Sequence, residues 1–173
     1  MPSKRRAARA SYVRGKSRRL LAVDLGVRTG FAVYGDDGRL LSYRSQNFGS
    51  AARLKRAIPA ILRDIPGLAI LVIEGGGPLA QAWDREAERL GVDVRHVSAD
   101  EWRAELLHAR EQRSGAQAKR VADAMARRVI VASEAPRPTS LRHDAAEAIL
   151  VGLWGALSAG WLRALPPSLL RSI

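Results

Sequence analysis

Leu20-Leu21-Ala22-Val23-Asp24-Leu25-Gly26-Val27-Arg28-Thr29-Gly30-Phe31-Ala32-Val33-Tyr34 is the stretch on which the fold turns. Residues 20–24 form a short apolar run ending in a carboxylate, as expected of a strand buried on both faces, with Asp24 at its exit. Residues 26–30 turn the chain, Phe31-Ala32-Val33-Tyr34 predicts a second strand, and Gly35-Asp36-Asp37-Gly38 is a hairpin signal leading to a third strand at residues 40–43. The chain thus opens as an antiparallel meander whose first strand delivers an acid.

Further along, residues 50–64 place Leu54, Ile58, Ile61 and Leu62 on one helical face, with Pro59 expected to kink or break that helix. Residues 68–73 are the strongest continuous strand signal, and they too end in a carboxylate, Glu74, before Gly75-Gly76-Gly77-Pro78. Pro78 suits the first position of a helix lined on one side by Leu79, Trp83, Ala87 and Leu90 and closed by Gly91. Residues 92–97 alternate like a strand. Helices are predicted from Asp100 to about residue 109, capped by Ser98 or Asp100, and from Ser114 to about residue 128, while residues 129–132 fit no class. After the Pro136-Arg137-Pro138 loop, Thr139 or Ser140 is expected to cap a last helix from Leu141 to about residue 157, apolar along Ile149, Leu150, Leu153, Trp154 and Leu157.

The 173 residues suit one domain. No apolar run approaches the length of a bilayer crossing, so no membrane span is expected. The chain has no cysteine, which excludes disulfides, thiolate metal sites and thiol nucleophiles and leaves oxygen and imidazole as metal ligands. The formal charge of +12 favours a polyanionic partner. It is unevenly spread. Residues 1–19 hold eight of the 29 Lys and Arg and no acid, leaving 21 basic against 17 acidic residues, or +4, for the rest. We read residues 1–19 as a flexible basic arm that grips DNA, only weakly reminiscent of an organellar transit peptide, residues 20–158 as the domain, and residues 159–173 as a partly ordered tail. A cytoplasmic protein, of bacterial or phage origin, is the expected setting, an organelle the lesser one.

Three elements therefore present acids: two strand exits and a final helix in which Asp144 and Glu147, three residues apart, share a face. Like charges at that spacing repel by about 0.2–0.5 kcal/mol in an isolated helix, a penalty a divalent cation removes. Magnesium prefers oxygen ligands, and two such ions can promote phosphodiester hydrolysis, so Asp24, Glu74, Asp144 and Glu147 are the candidate catalytic and metal-binding carboxylates. Each also has a plain structural reading, as a turn former after a strand or as a complement to a helix dipole. What joins them is that two acids end the two most hydrophobic runs and the others open the last apolar helix. His143, one turn from Glu147, could join the metal or assist proton transfer, or simply face outward. His96 and His108 lack an acidic partner at ligand spacing, and Trp154 and Trp161 read as core or dimer contacts. Arg103, Arg110, Arg113, Lys119 and Arg120 concentrate charge around two helices and their connection, either as phosphate contacts or as a solvated basic face. Gly76 and Gly77 open a helix able to accept a DNA phosphate, although no P-loop Lys-Ser or Lys-Thr follows.

Val23-Asp24-Leu25-Gly26-Val27-Arg28-Thr29-Gly30-Phe31-Ala32-Val33 resembles the first strand and hairpin of RuvC-type Holliday junction resolvases. Ile73-Glu74 and Asp144-Ala145-Ala146-Glu147-Ala148 resemble that family's second and third motifs, in the same order and over residues 20–158. The resemblance implies an α/β, ribonuclease H-like fold: a mixed five-stranded sheet, three antiparallel strands then parallel ones, flanked by helices. It also implies an endonuclease that cuts four-way DNA junctions as a homodimer with two magnesium ions per site, manganese substituting, leaving 5′-phosphate and 3′-hydroxyl ends. It assigns no helicase partner. Asp100-Glu101-Trp102-Arg103 and the helix of Lys119 are similar to the plant organellar and phage-like branch, which makes Lys119 the leading DNA contact. Two departures stand out. Glu147 occupies a position where bacterial members more often carry Asp. Gly75-Gly76-Gly77 lies where they tend to place an aromatic wedge, a role that Trp83 or Trp102 could take instead. Competing readings are an ATP-binding protein of the actin and sugar kinase superfamily, which needs two lobes, a non-catalytic nucleic-acid binding module, and a YqgF-like nuclease acting on RNA.

Overall fold

The computed structural model describes residues 17–107 and 114–169. Its elements run β1 (Arg19–Asp24), β2 (Arg28–Gly35), β3 (Leu40–Asn47), α1 (Ala51–Arg63), β4 (Leu68–Glu74), α2 (Gly77–Arg89), β5 (Asp93–Val97), α3 (Ala99–Leu106), α4 (Gly115–Ala132) and α5 (His143–Ser158). They build one five-stranded sheet in the order β3-β2-β1-β4-β5. β1 pairs antiparallel with β2, as β2 does with β3, whereas β4 runs parallel to both β1 and β5. This is the mixed sheet that the family resemblance implied.

Alternation along β1 divides the core. Leu20 and Ala22 join a cluster with α3, α4 and α5 on one face, and Leu21 and Val23 join a second cluster with α1 and α2 on the other. The result is three layers with β1 buried at the centre. No helix among the described residues is long and apolar enough to cross a membrane.

α5 is the most deeply set helix, buried at every position from Ala145 to Leu153. The hydroxyl of the fully buried Tyr34 donates 2.6 Å to the carbonyl of Ile149, tying the helix to β2. Gly30 permits the closest approach, because a β-carbon there would collide with the backbone of Asp144.

Several local expectations need correction. α1 runs through Pro59 without a break. Its buried residues Leu54, Ile58, Ile61 and Leu62 flank the proline on both sides, so packing holds the helix while the carbonyl deprived of its donor, that of Lys55, belongs to an exposed residue. α4 continues through the stretch that fitted no class, since Val129 and Ile130 extend its buried face. α5 starts two residues later than expected: Arg142 is its N-cap and offers no side-chain bond, the start being set by docking at Gly30 rather than by Thr139 or Ser140. His96 does have an acidic partner, Asp84 of α2 at 2.9 Å, a contact between elements that sequence spacing does not display. Strand β1 begins at Arg19, and Arg18 stacks on Trp161, so the body starts just inside the expected arm. Beyond α5, Trp161, Leu162 and Leu165 pack on the core and Leu169 is buried, so the segment after residue 158 is held at least to that point.

Candidate metal centre

The sheet itself positions the first two acids. In the parallel register of β1 and β4, Asp24 lies directly opposite Glu74, and the amide of Leu25 donates 3.0 Å to the Glu74 carbonyl just beyond. Both strands are buried runs that can end only where the chain reaches solvent, which is why each hands its last side chain to the same edge. On the other side of Asp24, β2 pairs it with Gly30, the residue against which the first turn of α5 rests. That contact carries Glu147 to the two strand acids. One carboxylate oxygen from each of Asp24, Glu74 and Glu147 lies within 4.8 Å of the others.

Asp144 belongs to the same group but turns aside. Its carboxylate accepts a short hydrogen bond from the Ser45 hydroxyl of β3, while its charge still reaches Asp24. Glu147 is buried and held from both sides: Arg103 of α3 donates to Oε1 at 2.7 Å, and His143 Nε2 lies 3.3 Å from Oε2.

Burial, reinforced by Glu74, Glu147 and Asp144 and opposed by Arg103, pushes the Asp24 carboxyl up from 3.8 to about 8. Burial and Glu147 raise Glu74 as well, against the nearby Trp102 indole and Arg103. One oxygen of that same carboxylate, Glu74 Oε2, is buried and has no hydrogen-bond partner. A buried oxygen that completes no hydrogen bond, with only the Trp102 indole near the carboxylate as a neutral donor, within a group of carboxylates that suppress one another's ionisation, fits a hard divalent cation. Asp24, Glu74 and Glu147 are the residues that would hold it, with Asp144 beside them.

The other expected site residues fall in different places. Arg103, read from sequence as a contact to a nucleic-acid backbone, sits inside the acid cluster, because α3 docks on α5. His143 is exposed and lies 3.3 Å from Glu147 Oε2, and it is not itself one of the three residues that converge. Lys119 and Arg120 are exposed in the early turns of α4. Gly76 caps α2 and Gly77 begins it, both exposed at the end of β4 beside Glu74. Arg110, Arg113 and His108 lie outside the described residues. Trp83 and Trp102 are both fully buried, so neither is available to wedge between bases. Ser45 was missed: the strand signal ended at Tyr43, and a lone Ser three residues short of the loop carries no mark of a partner 99 positions away.

No protein-family model matches the sequence, and no curated protein is similar to it in sequence. Among solved structures, the chain is similar to the yeast mitochondrial Holliday junction resolvase Ydc2, at 11% identity and a TM-score of 0.56, over 84% of this chain and 82% of that one. It also aligns with the large terminase nuclease of the thermophilic phage G20c, at 14% identity and a TM-score of 0.46, over 80% and 81% of the two chains. The catalytic core domain of BIV integrase follows at 12% identity and a TM-score of 0.33, over 79% and 82%. The likeness to the resolvase is one of fold, and with the strand order above it makes this the ribonuclease H-like fold.

Proposed function

We propose that the chain is a magnesium-dependent endodeoxyribonuclease that resolves four-way DNA junctions. The observation that carries this reading is the convergence of Asp24, Glu74 and Glu147 on one point, with a buried Glu74 oxygen left for a cation. Bound there, divalent ions supply Lewis acidity toward a phosphodiester, with manganese able to replace magnesium. The chain's own part is to hold three carboxylates in register, to keep Asp144 fixed through Ser45, and to present Lys119 and Arg120 to the phosphate backbone. Hydrolysis adds water to phosphorus and breaks the bond to the 3′ oxygen, which takes the proton, so the products carry a 5′ phosphate and a 3′ hydroxyl.

Two further observations favour DNA, and junctions in particular. The formal charge is +12, and the fold is shared with a protein described as a Holliday junction resolvase. A junction has two-fold symmetry, which calls for two sites and therefore a homodimer.

The test is a nicking assay with magnesium on a synthetic four-way junction, a linear duplex and a structured RNA, with Asp24→Asn beside the wild type. Paired symmetric nicks in the junction, absent from the variant, are expected. Cleavage confined to RNA would move the protein to the YqgF-like class, and equal inertness of both proteins on every substrate would end the nuclease reading.

A further inference from the structure

Ser45, Gly30, Asp24 and Glu74 stand in one row across four neighbouring strands, each paired with the next. Two acids end that row on one side and a hydroxyl ends it on the other. Gly30 between them is the seat of α5, since a β-carbon there would collide with the Asp144 backbone. Asp144 is thereby set over the row, between Ser45 and Asp24. Strand alternation fixes the face from which Ser45 meets it. Tyr43 and Ser45 both turn to the side of α5, where the Tyr43 hydroxyl donates to the Pro136 carbonyl, while Arg44 lies on the opposite face over the Phe31 ring.

The Asp144 carboxylate is drawn toward the hydroxyl end of the row. Its Oδ2 accepts from Ser45, and Asp144 is not among the three acids whose oxygens converge within 4.8 Å. A hydroxyl that donates to one carboxylate oxygen makes that oxygen a poorer ligand and leaves the other to bind alone. Cations differ in what they ask of a carboxylate. Calcium accommodates about six to eight oxygens and accepts both from one carboxylate, whereas magnesium and manganese hold to about six in octahedral array.

We infer that Ser45 is a positioning residue, which restricts Asp144 to a one-oxygen ligand and so biases the centre toward small octahedral cations and against calcium. The inference rests on the proposed nuclease reading and deepens it. A hydroxyl carries no charge, so its loss leaves the total charge of the centre unchanged. A shift in the ratio of two ion affinities therefore reports the geometry of Asp144 rather than the general attraction of the acids.

The experiment is calorimetric titration with manganese and, separately, with calcium, without DNA, on wild type, Ser45→Ala, Ser45→Thr, Asp144→Asn and the double variant Ser45→Ala with Asp144→Asn. Melting temperatures check folding, and Ser45 is half-buried on an edge strand, where alanine is expected to be tolerated. Wild type should bind manganese more tightly than calcium. Ser45→Ala should narrow that preference about tenfold, mainly by a gain in calcium affinity. Ser45→Thr keeps the hydroxyl and should keep the wild-type ratio. Against Asp144→Asn, the added Ser45→Ala should leave the ratio where it was.

A ratio that stays fixed in Ser45→Ala, or that moves as much without the Asp144 carboxylate as with it, overturns the inference. So does a wild type that binds the two ions equally, or a Ser45→Thr that melts like wild type yet behaves like Ser45→Ala. A wild type that takes up neither ion defeats the nuclease reading instead.

Discussion

Asp24 is flanked by Glu74 across the parallel strands and by Glu147 from the helix above, and its carboxyl is held at about 8 by burial and those charges. The folded protein therefore binds this proton more tightly than the unfolded chain does. Stability is fully present below the unfolded value of 3.8 and is lost as the pH climbs to about 8. In EDTA, the melting temperature of the wild type should fall relative to that of Asp24→Asn across this window. The corresponding difference in stability should amount to about a few kcal/mol at most, given the residual solvent contact of the site. Magnesium should lower the carboxyl's pKa, so its stabilising effect should be larger at the alkaline end than at the acid end. Thermal melts at stepped pH, with and without magnesium, measure both. A wild type whose profile parallels the variant's would show that Asp24 ionises freely. The strand acids were legible in the sequence because an apolar run buried on both faces must end at solvent, and each run here ends in a carboxylate. Arg103 was legible only as a basic residue on a helix. Its place in the cluster depends on contact with Glu147, 44 positions later, which no local pattern encodes.

At the scale of elements, α3 matters because it carries both Trp102 and Arg103. It is short, and its start is secured by a reciprocal pair of bonds: the Ser98 hydroxyl accepts from the Glu101 amide at 3.2 Å, and the Glu101 carboxylate accepts from the Ser98 amide at 2.7 Å. The Ser98 amide, helped by the Ser98 side chain, holds the Glu101 carboxyl below its usual range. Ser98→Ala should cost about 1 kcal/mol in a urea titration with an unchanged denaturant slope. A cost near zero would mean that packing of Trp102 alone fixes the helix. Capping was readable here because Ser98 and Glu101 stand at the required spacing. The same rule misplaced the start of α5, where close backbone packing at Gly30 replaces a side-chain cap, and propensity misjudged Pro59, whose helix is clamped by apolar residues on either side. Local rules succeed where the bonds are local.

For the whole molecule, the separate strands and helices were read from the alternation of short apolar runs with helical segments, whereas the mixed sheet flanked by helices was what the family resemblance implied. The five strands of the ribonuclease H-like fold were each signalled in advance, although β2 and β3 extend several residues beyond their apolar centres because strand pairing carries the polar ends along. What sequence patterning does not contain is the assembly. If the protein acts on two-fold symmetric junctions, it is a dimer, and sedimentation equilibrium should return twice the 18.8 kDa chain mass. A monomer at concentrations where both strands of a junction are cut would contradict that.

The pairing of Asp24 with Glu74 across adjacent parallel strands bears on how such an enzyme comes into being. Fifty residues separate these acids in the chain, and a further seventy-three separate Glu74 from Glu147. No hairpin, helix or other early, local piece of structure contains more than one of the three. The centre is therefore absent from a nascent or partly unfolded chain and comes together only when distant segments close on one another. If the chain is the proposed nuclease, it gains the means to cut only once its fold is complete.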